Sequence, residues 1–195
     1  LLALGCSNSN SPTNSNTTPS STATTVWDAG NSAWTSVVNA TSAANFVQYS
    51  FGSRDTVTTG GTNWDLAFRK RDANTNGGAF TTSAGTVAGI DLGVVDFAAV
   101  TAADSGGKTW KSDYLFRQIG EWYSYDVNSH VVSMTRNVFT MADASGHHYV
   151  KFRIDSIVGA TGQTDMGTVY MTYYYNPTAD DKSLPGPAIA VSFAV

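Results

Sequence analysis

Three histidines, His130, His147 and His148, and a thin scatter of carboxylates are the side chains here best suited to acid–base chemistry or metal ligation. His147 and His148 are adjacent, and neighbouring residues of an extended chain face opposite ways, so the two are not expected to hold one ion together. They read as solvated residues of a turn. Asp180-Asp181, close to Pro177, reads as a solvated loop. Asp65, within Trp64-Asp65-Leu66, is a candidate general acid for which the sequence names no partner carboxylate. No HExxH, GxSxG, Walker or GxGxxG pattern stands in a usable context. With no positioned base, nucleophile or metal set, the sequence is read as that of a binding protein and not an enzyme.

The elements that must carry these residues are strands. Val47, Tyr49 and Phe51 alternate with Phe46, Gln48 and Ser50, and Trp64, Leu66 and Phe68 alternate with Asp65, Ala67 and Arg69. The second pattern predicts Asp65 on a polar face, pairing across the sheet with the arginines of Arg69-Lys70-Arg71. Three further alternating runs follow: Val150–Ile154, Val169–Tyr175 and the closing Ile189–Val195. Turn chemistry separates them at Gly60-Gly61, Asn76-Gly77-Gly78 and Asp143-Ala144-Ser145-Gly146. Val138–Ala142 and Tyr149–Asp155 around that last turn predict a hairpin, and only Val94–Ala103 is read as able to hold a short helix. The expected architecture is all-β, an antiparallel β-sandwich or barrel-like single domain.

Composition sets the outer limits. The chain has 195 residues, 11 Lys+Arg against 15 Asp+Glu and a net charge of -4, so it presents no basic stripe for nucleic acid. No apolar run reaches the roughly 18 residues of a spanning helix. A single cysteine, Cys6, excludes an intrachain disulfide framework. It follows Leu1-Leu2-Ala3-Leu4-Gly5, an apolar run ending in small residues that resembles the end of a bacterial lipoprotein signal, in which the cysteine is lipidated. From Ser7 to Thr25, 16 of 19 residues are Ser, Thr or Asn, too polar to bury apolar surface, which predicts a disordered tether. The expected division is residues 1–5 as a signal remnant, 6–25 as lipidated Cys6 and tether, and 26–195 as the folded domain. Ser7 after the cysteine resembles the sorting pattern for the outer membrane.

Two motifs, in order, carry a resemblance to a family. The first is Trp64-Asp65-Leu66-Ala67-Phe68-Arg69-Lys70-Arg71 followed by Asn76-Gly77-Gly78. The second is Gly120-Glu121-Trp122-Tyr123-Ser124-Tyr125, a loop to His130, Asn137–Gly146, and Tyr149-Val150-Lys151-Phe152. Together with the lipoprotein-like start they resemble the HmuY-like haem-binding lipoproteins of Gram-negative bacteria, over about Val26 to the C-terminus. The resemblance implies an all-β domain that grips haem between loops at one end and relays it to an outer-membrane haem receptor. It also implies two axial histidines, one on each of two hairpins. Here the first would fall in Thr101–Ile119, which holds neither histidine nor methionine, and the second at Val127.

Within the second hairpin, His130 lies three residues past that position and Met134 four further on, an even spacing that puts both on one face of an extended strand. A His/Met pair is a known haem iron ligation, so His130 and Met134 are the candidate ligands, with His130 holding the metal. Tyr114, Tyr123 and Tyr125 are candidate pocket walls, and Lys111 and Arg117 candidate propionate partners. The competing reading is a lipoprotein of the same fold without haem, serving as a surface-interaction or carbohydrate-binding module. Its Trp and Tyr side chains would then form a row of stacking platforms.

Overall fold

The computed structural model describes residues 23–57, 61–77, 88–103, 107–108, 110–111, 113, 119, 121–159 and 166–185. Cys6, Tyr114, Arg117 and the closing run Ile189–Val195 lie outside the described residues. The described chain is all-β, as predicted. Six antiparallel strands form the larger sheet, in the order β1 (Ala23–Asp28), β2 (Ala33–Asn39), β12 (Thr168–Asn176), β11 (Tyr149–Val158), β10 (Val138–Ala142), β7 (Gly89–Asp91). The smaller sheet runs β4 (Asp55–Val57), β3 (Val47–Ser50), β5 (Leu66–Arg69), β6 (Asp72–Thr75). A separate ribbon pairs β8 (Tyr123–Tyr125) with β9 (Val132–Met134).

Alternation explains the core. Phe139 and Met141 of β10, Phe152 and Ile154 of β11, and Met171 and Tyr173 of β12 face Tyr49, Phe51, Leu66 and Phe68 from the smaller sheet's side. Phe139 stacks on Phe152 with centroids 5.2 Å apart, and Phe51 meets Tyr173 at 4.9 Å. A buried hydroxyl cluster runs through the interior, where Tyr49 Oη lies 2.6 Å from Ser36 Oγ and 3.1 Å from Tyr173 Oη. Thr25 Oγ1 extends it, 2.6 Å from Ser36 Oγ. Ala23, Thr24 and Thr25 therefore belong to β1 and not to the tether, so the folded domain begins before residue 26. Their polar composition misled because an edge strand needs ladder bonds and hydroxyl partners more than apolar side chains.

The opposite face of the larger sheet is covered too. Ala33, Phe97, Val100 and Val138 form a second, smaller core. Its centre is Lys151, only 1% exposed, whose Nζ donates to the carbonyls of Val100 (2.9 Å), Phe97 (3.0 Å) and Leu184 (3.2 Å). Burial pushes its ammonium down to about 8. This corrects the helix expectation for Val94–Ala103, which forms turns instead. Asp96 caps a single turn through Ala98 N–H, and carbonyls that a helix would use point to the lysine.

Candidate functional site

Two places gather chemistry, at opposite ends of β5. The first is the β8–β9 hairpin. Asp126 Oδ1 accepts the N–H groups of Asn128 (2.8 Å) and Ser129 (3.3 Å), which bends the chain back towards β9. His130 follows at φ +57°, a left-handed conformation. Its Nδ1 lies 2.6 Å from the Tyr125 hydroxyl, and the two rings sit 6.0 Å apart. A bond at Nδ1 fixes the ring and leaves Nε2 as the nitrogen available to a metal. Around it, Tyr125 (42%), Val131 (44%) and Val127 (68%) are exposed, an apolar tip on an otherwise polar loop. The Arg71 guanidinium, from the β5–β6 turn, lies 5.4 Å from the Tyr125 ring centroid.

The shared-face expectation for His130 and Met134 fails, because the backbone is not extended at His130. Met134 pairs with Tyr123 in the ribbon and packs against the main core, whereas His130 is exposed. The ring partner of His130 is Tyr125, a contact with a sequence signal only in the aromatic–turn–His spacing. Tyr123 packs edge-on against buried Trp122 at 4.9 Å and anchors the ribbon. Lys111 is exposed and bridges Gly89 through its backbone.

The second place is a cleft of about 410 Å³ where the two sheets meet, between the turn after β3 and the β10–β11 turn. Asp65 lies beneath it, 1% exposed, and this corrects the polar-face expectation. Its Oδ2 accepts Phe51 N–H at 2.7 Å and its Oδ1 accepts Ala144 N–H at 2.7 Å. Burial pushes its carboxyl up to about 7, the two N–H donors and Ser50 opposing, and the charge of Asp143 adds to the rise. Asp143 is thus the neighbouring carboxylate that sequence could not name. For Asp143 itself burial is the largest influence and acts upwards, yet bonds from Ser145 and His148 hold the carboxyl below the ordinary range.

The paired histidines part company as their adjacency predicts. His147 Nδ1 meets Asp180 at 3.0 Å in solvent, and that bond raises its pKa. His148 is not simply solvated: it is half-buried, 3.1 Å from Asp143, with its ring 5.8 Å from Tyr175. Among the described residues no group of three or more metal-ligating side chains forms. Trp27 (43%) and Tyr125 (42%) are exposed on different elements, β1 and β8.

The arrangement of sheets is similar to that of the apo HmuY analogue from Tannerella forsythia, with a TM-score of 0.56 and 13% identity over 80% of this chain and 97% of that one. A protein from Bacteroides vulgatus, provisionally described as HmuY-like and haem-binding, aligns at a TM-score of 0.49 and 17% identity, covering 72% of this chain and 90% of that one. A provisionally described lipoprotein from Bacteroides fragilis aligns at 0.47 and 15%, covering 76% and 91%. No sequence model of a protein family matches the chain. A search of curated proteins also returns no match. The chain thus shares the HmuY-like fold, while the composition of its site has to be argued from its own residues.

Proposed function

We propose that this protein is a haem-binding lipoprotein on the HmuY-like fold, and that the β8–β9 hairpin is its haem contact. The observation that carries the proposal is the His130 imidazole, held at Nδ1 by Tyr125 on an exposed hairpin with an apolar tip. The residues present fit the group. A porphyrin needs an axial nitrogen, apolar surface for the ring and a cation or hydroxyl for the propionates. Nε2 of His130, the side chains of Val127 and Val131, and Arg71 offer these three in turn. Met134, packed on the core, is a support of the hairpin in this reading and not a ligand. When bound, haem supplies a Lewis-acidic iron; the chain's part is to present one nitrogen, shield one face and pair the carboxylates.

A contact at a solvent-exposed hairpin suits a protein that loads and unloads its cargo. We therefore extend the proposal to capture of haem and its transfer to an outer-membrane receptor, with Cys6 as the lipid anchor and the polar stretch after it as the leash. Titration of the full chain with hemin, followed at the Soret band in ferric and ferrous forms, tests the binding. Saturation at one haem per chain is expected, and a titration indistinguishable from buffer overturns the proposal. A version beginning at residue 26 is unsuitable, because it removes half of β1.

A further inference from the structure

We infer a second ligand site, independent of the haem reading: the cleft above Asp65 takes a neutral, hydroxyl-rich small molecule of monosaccharide size. Its volume of about 410 Å³ lies within the range of small-molecule sites. The argument turns on which polar groups are still open. Both oxygens of Asp65 accept backbone N–H groups. Asp143 Oδ1 accepts the Ser145 hydroxyl at 2.6 Å, Ser145 N–H at 3.1 Å and His148 N–H at 3.3 Å. Its Oδ2 accepts the Tyr175 hydroxyl at 3.2 Å and faces His148 Nδ1 at 3.1 Å. A carboxylate has about four lone-pair positions, so Asp143 keeps nothing for an incoming ammonium or metal ion.

Anions are disfavoured on the other side, because among the described residues no lysine or arginine lines the cleft. Haem propionates would meet two carboxylates there. What remains for an incoming alcohol is Nε2 of His148, the Asn63 amide and the oxygen of Ser53, whose hydroxyl already donates to the Ser50 carbonyl at 3.5 Å. The Tyr175 ring, tilted 34° to the His148 ring, adds a flat wall for the C–H face of a sugar ring. Gly52 keeps the floor open: a Cβ there would lie 3.1 Å from Tyr175 Oη. The cleft lies at the start of β5, and the haem hairpin touches Arg71 just past its end, so the two ligands do not compete for one surface.

The test uses the full chain and NMR of the His148 imidazole and cleft amides. Glucose, galactose, mannose and N-acetylglucosamine are the probes, with choline as a cation control and inorganic phosphate as an anion control. At least one sugar is expected to give a saturable shift, weakened roughly tenfold by Asn63→Ala. Asn63 is exposed, so that variant should melt as the parent does. Ser53→Tyr, also at an exposed position, should block the same shift by filling the cleft mouth. The inference is overturned if no sugar saturates, if choline or phosphate saturates in place of the sugars, or if the sugar shift survives both substitutions.

Discussion

The Asp65 carboxylate accepts the backbone N–H of Ala144 at 2.7 Å across 79 positions of chain, tying the start of β5 to the β10–β11 turn. Its other oxygen holds Phe51 N–H, just past β3. One side chain thus joins both sheets at the rim of the cleft.

Replacing Asp65 by Asn puts an amide donor against one of two N–H donors. Asp65→Asn should cost about 2–3 kcal/mol of unfolding free energy, read by denaturant titration. The pH dependence has a definite sign. The folded carboxyl titrates at about 7 against an ordinary 3.8, so the folded state binds more protons between those values. Stability from this group is therefore greatest below about pH 4 and falls as pH rises through 7. A parent protein whose stability rises from pH 5 to pH 7 while the Asn variant stays flat would contradict the assignment.

Lys151 makes the complementary case. Lys151→Met leaves three buried carbonyls without their donor and should destabilise by about 3 kcal/mol. The folded ammonium titrates at about 8 against 10.5 ordinarily, so the penalty for burying its charge is full below 8 and fades towards 10.5. The parent should gain stability relative to Lys151→Met across that window. Denaturation curves on both sides of it provide the check.

Tyr125→Phe removes the hydroxyl that orients the His130 ring. Loss of such a partner should weaken haem binding roughly 10–100-fold while leaving the form of the Soret spectrum unchanged. An unaltered affinity would mean that the bond at Nδ1 does not prepare the ring.

Met134→Leu separates ligand from support. Because Met134 packs against the core, the substitution should leave the haem spectrum as it is and change stability by less than about 1.5 kcal/mol. Loss of a low-spin ferrous spectrum in this variant would restore methionine as an axial ligand.

The fold was readable where its signals are local. The β10–β11 hairpin follows from two alternating runs around Asp143–Gly146, and its observed register runs from Val138↔Arg153 to Ala142↔Tyr149. Alternation failed at β5, where Leu66, Ala67 and Phe68 are all buried and no polar face exists to mark. Parity failed at His130 because one left-handed residue resets the count of faces. The helix expected over Val94–Ala103 was lost to Lys151, whose partners lie 51 and 54 positions away and have no local signature. The cleft was hidden for the same reason: its parts come from β3, β4, the segment before β5, β12 and the β10–β11 turn, which only the non-local strand order brings together.

The central claim, that this chain binds haem through His130, is tested most directly by parallel hemin titrations of the parent and His130→Ala, followed at the Soret band. His130 is exposed and its ring bonds only the Tyr125 hydroxyl among the described contacts, so the variant should fold normally, with an unchanged melting temperature as the control. The account predicts a sharp, saturable Soret shift in the parent that is lost or markedly weakened in the variant. A flat titration of the parent, or an identical shift in both proteins, would contradict it.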